Sequence, residues 1–436
     1  MKDIDYHTLA ETYKTPLYVY DLQKISSAFL RLKEAFRARK SLICYALKAN
    51  SNLSIIHHLG TLGSGADCVS IGEVRRALRA GILKYKIIFS GVGKQDNEIQ
   101  EALQSDILFL NVESEGELGR IESIAKSLNK VARISIRVNP NIDAKTHPYI
   151  STGLSENKFG VDIQQAKAMY IFAKNSPHIE PVGIHFHIGS QLTDIEPIKE
   201  AAHKVAQLAH SLIALKIDLK FFDVGGGIGI RYEEENLINP YDYAQAILEA
   251  LYGLDLTIIC EPGRFLVGES GVLLTRVLYE KHNGEKRFVI TDAAMNDLMR
   301  PALYHATHKI EYVEKIQNAE HIGERSVESS LCDMCDVVGP ICESGDYLAK
   351  NIALPKLTHG DLLKIENVGA YGYSMASNYN TRLRPAEVVI ENGRARLIKN
   401  RECFESLISD EEKLLHDSQT MDLQSIDSAD SQSVDS

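Results

Sequence analysis

The chain has 436 residues, 44% hydrophobic and 25% charged, a mixture that excludes a fibrous, collagen-like or largely disordered protein. No run of about 18 apolar residues occurs, and the charged start Met1-Lys2-Asp3-Ile4-Asp5 lacks an apolar export core, so neither a membrane partner nor export is expected and a cytoplasmic location is. Of the net charge of −11, −7 lies in residues 409–436, where eight acidic residues face Lys413 alone; the rest is near neutral without a basic stripe, which disfavours a nucleic-acid partner.

In chain order, Pro16–Tyr20 reads as a strand lying ahead of the main repeat. From Ser41 onward, short apolar runs alternate with stretches of helical period. The strand candidates are Ser41–Ala46, Ala66–Ser70, Lys86–Ser90, Ile107–Val112, Ala132–Asn139, Pro181–His187, Lys220–Val224 and Leu256–Cys260. Between them Gly72–Ala80, Glu115–Leu128 and Ile195–Leu215 carry helical patterns. Eight strand-then-helix units with strands apolar on both faces predict an α/β fold, a (β/α)8 TIM barrel over residues 36–264, with a doubly wound open sheet as the structural alternative.

Beyond Gly268 the strand-like runs Gly271–Glu280, Arg287–Asp292, Leu362–Glu366, Glu387–Glu391 and Ala395–Ile398 lack long helices between them. Residues 1–35 and 265–408 are therefore expected to form one discontinuous β-rich domain. His305–Cys335 supports no assignment. The Ser-rich acidic segment 409–436 buries too little apolar surface to order itself and is expected to be disordered. Seven cysteines, an odd and sparse set, read as reduced thiols.

Chemistry-bearing residues fall just past predicted barrel strands, where a barrel places its active site. Lys48 follows the first strand, His185 and His187 with Ser190 the sixth, Gly225-Gly226-Gly227 the seventh, and Glu261-Pro262-Gly263-Arg264 the eighth. Taken singly each has a plainer reading: a loop lysine is usually solvated, and a glycine run can be only a turn. Three consecutive glycines also let backbone N–H groups approach an anion closely. They lack the Gly-x-Gly-x-x-Gly spacing of a dinucleotide site, and Gly91-Val92-Gly93-Lys94 fails the P-loop pattern. His185-x-His187 could open a metal site and Cys332-x-x-Cys335 could hold zinc, but neither has further ligands at suitable spacing, so no metal is expected. A lysine amine, an anion cradle, an imidazole and a carboxylate are together the requirements of pyridoxal 5′-phosphate.

The stretches Cys44–Asn50, His185–Ser190, Gly225–Gly229 and Glu261–Arg264 resemble the fold type III, alanine-racemase-like pyridoxal phosphate decarboxylases. Asn139-Pro140, Thr146–Gly153, Lys158-Phe159-Gly160 and Cys342-Glu343-Ser344-Gly345-Asp346 narrow this to the diaminopimelate decarboxylase family, over about residues 12–408. The resemblance implies decarboxylation of meso-2,6-diaminopimelate to L-lysine. It implies that Lys48 carries the cofactor and that His187, Ser190, Gly225, Gly226, Gly227, Glu261, Gly263, Arg264 and Tyr371 contact it. It also implies that Arg264, Arg300, Tyr304, Glu343 and Tyr371 bind substrate, that Cys342 donates a proton, and that the chain forms a homodimer with shared active sites. Arg300 and Arg264 suit a distal carboxylate, and for want of that group L-lysine is expected to inhibit weakly. Related decarboxylases of carboxynorspermidine, ornithine or arginine, and a non-catalytic pyridoxal-binding regulatory homologue, are the alternatives.

Overall fold

The structure is a computed structural model and describes residues 4–144, 152–153, 157–314 and 332–415. Strand β1 (Leu17–Asp21) precedes the barrel. The barrel strands are β2 (Ser41–Ala46), β3 (Gly65–Cys68), β4 (Ile87–Phe89), β5 (Phe109–Val112), β6 (Ala132–Arg137), β7 (Ile179–His185), β8 (Phe221–Asp223) and β9 (Thr257–Cys260). Each pairs in parallel with the next, and β9 returns to β2 through Ile258↔Ser41 and Cys260↔Ile43, closing the ring. Closure excludes the open-sheet alternative. The connecting helices present one apolar face to the strands. Helix Ile71–Arg79, capped by the Ser70 hydroxyl, buries Ile71, Val74 and Ala77 and exposes its arginines.

The second sheet holds β10 (Gly271–Asn283), β11 (Lys286–Thr291), β12 (Ile310–Tyr312), β13 (Asp333–Val338), β14 (Tyr347–Leu354), β15 (Leu362–Glu366), β16 (Ala386–Glu391) and β17 (Arg394–Lys399). Its order is β14-β13-β11-β10-β1-β16-β17, with β15 pairing β10 and β12. Strand β1 lies between β10 and β16, so the N-terminal strand sits inside the C-terminal sheet, as its early position and the discontinuous domain require.

Two expected boundaries differ. Helix Leu22–Ala35, placed with the β-rich domain by the sequence reading, packs on the barrel helices: Ile25, Phe29 and Leu32 are buried, and Phe36, the residue just past its end, meets Tyr243 edge-on at 6.0 Å. Its apolar stripe faces the barrel helices, which a two-way division of the chain by strand pattern cannot show. Residues 404–415 are helical and so run into the segment expected to be disordered from 409; Glu, Lys and Leu there are good helix formers. The rest of that segment, and Thr146–Ser151 of the quoted motif, lie outside the described residues. No described helix is long and apolar enough to cross a membrane.

The β-rich domain is fastened to the barrel rim beside β2. The Tyr371 N–H donates to the Ala49 carbonyl at 2.8 Å, and the Asn52 amide to Glu387 at 3.0 Å; Glu387 also accepts from the Tyr20 hydroxyl at 2.7 Å. These contacts hold the turn after β2 from both sides.

Candidate active site

The C-terminal ends of the barrel strands open into a cavity of about 600 Å³, within the range of small-molecule sites. Strand β2 ends in a 3-10 turn, Leu47–Ala49, that presents Lys48 to it. The Lys48 amine lies 3.7 Å from the Asp67 carboxylate at the end of β3. Burial works against its charge, but Asp67, Tyr371 and Glu261 outweigh burial and hold the amine above its ordinary pKa. Asp67 itself is pushed up, by burial and then by Glu261.

At the cavity floor His185, ending β7, places Nε2 3.2 Å from Glu261, the residue after β9. Asp223, ending β8, joins them, with ligand-type atoms of all three within 4.8 Å. Burial and the Glu261 charge push the Asp223 carboxyl well up. Burial also opposes the charge on Glu261, but His185, the Asp223 carboxyl and Lys48 prevail and hold it below the usual carboxylate range. The two neighbouring acids are thus pushed in opposite directions, Asp223 toward its neutral form and Glu261 toward its charged form. This trio, rather than His185 with His187, is the cluster that the fold assembles. His187 accepts at Nδ1 from the Gly226 N–H at 3.2 Å and is kept neutral, chiefly by burial and then by Arg137.

The glycines have a steric reason. A Cβ on Gly226 would stand 2.2 Å from the Glu261 carbonyl oxygen, and one on Gly227, at φ +112°, 2.4 Å from that of Gly189. Gly263 packs against Ala46 and Ala49, bringing the end of β9 up to the Lys48 turn. Arg264 donates to the Ser190 hydroxyl at 3.2 Å and to the Tyr232 hydroxyl at 2.7 Å; its buried Nε has no partner among the described residues. Its guanidinium lies 4.9 Å from the Tyr371 ring centre, and Tyr371 is held at φ +57°, a conformation costly for a tyrosine.

Arg300 and Tyr304, on the short helix Arg300–Tyr304, line the same cavity. Arg264 and Arg300 are each only 6% exposed, and no carboxylate pairs with either among the described residues. Two buried, uncompensated guanidinium groups form a receptor for anions.

Cys342 and Glu343 are not brought to this cavity. They sit on the loop between β13 and β14, where the Cys342 N–H donates to Asn380 at 3.3 Å and Glu343 accepts from the Tyr379 hydroxyl at 2.8 Å. Lys94 of the rejected P-loop pattern is structural, its buried amine held by the Gly91 and Asn111 carbonyls and by Glu117. Cys335 is buried in β13 and Cys332 exposed, and among the described residues no third ligand side chain joins them.

The sequence reading missed Asp67, Asp223, Arg137, Tyr232 and His308. Arg137 and Asp223 end barrel strands and Asp67 is the last residue but one of its strand, and that position alone could have marked them. Arg137 binds Glu113 at 3.0 Å and covers Phe159. Tyr232 and His308 lie in irregular stretches with no pattern to flag them.

The donor set suits pyridoxal phosphate: a cavity-facing lysine amine, a glycine run packed too closely on neighbouring backbone to admit a Cβ, a buried arginine Nε without a partner among the described residues, and a carboxylate at the floor held below its ordinary pKa. Residues 22–268 match the family described as pyridoxal-dependent decarboxylase, pyridoxal binding domain. The chain is 62% identical over 403 residues to diaminopimelate decarboxylase of Helicobacter pylori strain J99, covering 92% of this chain and 97% of that one. It is 58% identical to that of Campylobacter jejuni over 414 residues, 94% of this chain and all of the relative. The crystal structure of diaminopimelate decarboxylase from Helicobacter pylori complexed with L-lysine superposes with a TM-score of 0.88 at 61% identity, covering 94% of this chain and all of that one.

Proposed function

Because this chain belongs to the diaminopimelate decarboxylase family, within the pyridoxal-dependent decarboxylases, we propose that it converts meso-2,6-diaminopimelate to L-lysine and CO2 at the cavity described above. Its cofactor is pyridoxal 5′-phosphate. When bound, that group supplies an aldehyde for the substrate amine and a protonated pyridine ring that draws off the electron pair left by departing CO2.

The residues divide the work by charge. Lys48 is the amine that carries the cofactor. Glu261, held below the usual carboxylate range with His185 beside it, would keep the pyridine nitrogen of the bound cofactor protonated. His187, neutral, would border the cofactor ring. Ser190 and Arg264, which line the cavity, would receive the phosphate together with the backbone of Gly225, Gly226, Gly227 and Gly263, and Tyr371 would border both cofactor and substrate. Arg300 and Tyr304 grip the distal carboxylate, with Arg264 adding positive charge. The bond from the α-carbon to its carboxylate breaks, CO2 leaves, and the Cys342 thiol returns a proton to that carbon.

The observation that carries this reading is the pair of buried guanidinium groups without a carboxylate partner. An enzyme acting on a simple diamino acid would need an acid there. The carboxylate that Arg300 holds is not the one lost: L-lysine keeps it. The expectation that L-lysine binds weakly is thereby corrected, since the product retains the group that the arginines recognise. We also propose a head-to-tail homodimer in which the loop bearing Cys342 and Glu343 completes the site of the neighbouring copy, because neither residue reaches the cavity of its own chain. The test is CO2 release from meso-diaminopimelate against ornithine. Faster turnover of ornithine would overturn the substrate assignment.

A further inference from the structure

Arg300 is held by a residue that takes no part in the scheme above. Its Nη1 donates to Nε2 of His308 at 2.9 Å, and Nδ1 of His308 stands 2.9 Å from the Glu366 carbonyl in β15. A guanidinium can only donate and a carbonyl can only accept, so the imidazole is the neutral tautomer with its proton on Nδ1. His308 is 2% exposed; burial, and then the Arg300 charge, press its pKa down to about 3. Tyr232 completes the clamp. Its ring meets the His308 ring edge-on at 5.4 Å and lies 4.5 Å from the Arg300 guanidinium, while its hydroxyl accepts from Arg264.

The chemical identity of residue 308 matters. A carboxylate at this position would fix Arg300 equally well but neutralise it. A neutral acceptor fixes one N–H of the fork and leaves the positive charge for an incoming anion. Anchorage to the Glu366 main chain ties the side chain to the β-rich sheet, not to a mobile surface group.

We propose that His308 is a positioning residue for substrate selection: as an uncharged acceptor anchored on β15, it aims the guanidinium of Arg300 at the distal carboxylate without quenching its charge. The proposal rests on the assignment of Arg300 to that carboxylate.

The test uses the holoenzyme with two ligands that differ only in the group concerned, L-lysine, which carries the carboxylate, and 1,5-diaminopentane, which lacks it. His308→Leu, which removes the acceptor, raises KM for meso-diaminopimelate and weakens L-lysine binding by on the order of tenfold, the range for losing a hydrogen bond to a charged group. Binding of 1,5-diaminopentane and the visible absorbance of the bound cofactor stay unchanged. His308→Asp weakens L-lysine further, because a carboxylate now occupies the guanidinium. His308→Gln, whose amide can accept from Arg300 and donate to the Glu366 carbonyl, stays within about threefold of the parent. Equal losses for both ligands would reduce His308 to a packing role and overturn the proposal, as would unchanged L-lysine binding in His308→Leu and His308→Asp. Arg300→Ala separates the two levels. If it leaves KM and L-lysine binding unchanged, the assignment of Arg300 fails; if it weakens them while the His308 variants do not, only the role of His308 fails. Should the leucine variant not fold, the aspartate and glutamine variants give the same decision.

Discussion

Lys48→Ala and Cys342→Ala proteins, each inactive alone, should regain activity when mixed. Lys48 lines the cavity of its own chain. Cys342 is exposed on the loop between β13 and β14, and Glu343 beside it is held by Tyr379. If that loop serves the neighbouring copy in a two-fold dimer, every site takes its lysine from one chain and its thiol from the other. A mixed dimer of the two variants then has one site carrying both defects and one carrying neither. Random exchange of equal amounts makes about half the dimers mixed, and half the sites in those are intact, so activity should reach roughly a quarter of the parent. The assay is CO2 release from meso-diaminopimelate after native mass spectrometry has verified exchange. Mixtures that stay inactive despite exchange would refute the shared site and require the loop to fold onto its own barrel.

Lys48→Ala should stay folded, because the side chain reaches the cavity and its ion pair with Asp67 is long at 3.7 Å. It should lack both turnover and the cofactor absorbance that borohydride fixes to protein; fixation of cofactor at another lysine would refute the assignment. Gly226→Ala puts a methyl about 1 Å inside ordinary contact with the Glu261 carbonyl, so the cradle must shift. Overpacking of this kind costs about 1–3 kcal/mol, and cofactor affinity measured by dialysis should fall at least tenfold; undiminished affinity would contradict the cradle. Asp297 offers a test by pH. Burial pushes its carboxyl up to about 7, only partly offset by the Ala294 N–H and Arg382. The folded state therefore binds its proton more tightly than the unfolded chain, and stability should decline as pH rises from about 4 through 7. Asp297→Asn should remove that share of the decline in urea titrations at successive pH values. An identical slope in both proteins would show Asp297 to be ionised throughout.

The barrel was legible because parallel strands buried on both faces leave continuous apolar runs. Ile43 to Ala46 and Ile258 to Cys260 read as strands from composition alone, and the expected strand at Lys86 starts one residue later because the 3-10 turn Lys84–Lys86 precedes it. Lys48 and Glu261 were legible for the same reason, since a strand end in a closed barrel fixes where the next side chain stands. Strands β13 and β14 were not. Their burial is uneven, with Asp333, Met334, Lys350 and Asn351 exposed, so neither period 2 nor an apolar run stands out. His308 follows a left-handed residue, His305, that ends the helix of Arg300. Its contact with Arg300 depends on that reversal of the chain and on β15, more than fifty residues later, and no local window contains both.

The distribution of buried charge explains why these residues can share one cavity. Toward the floor, Asp67, Asp223 and Glu261 crowd three carboxyl groups together; burial and then the Glu261 charge push Asp67 and Asp223 up, while His185 helps to hold Glu261 below the usual carboxylate range. At the other end, Arg264 and Arg300 are buried without carboxylates and kept in place by neutral groups, the Tyr232 ring and hydroxyl, the Ser190 hydroxyl and the His308 imidazole. One end is thus built to stabilise a cation and the other to receive anions. A substrate or cofactor entering in the wrong sense would bring like charges together in a low-dielectric space, where the penalty is several-fold larger than in water. The same separation constrains substitution. Exchanging His308 for glutamate or Glu261 for glutamine changes few atoms yet alters the charge at one end of this field, so the polarity of the cavity, and not the barrel that encloses it, is what makes the site selective.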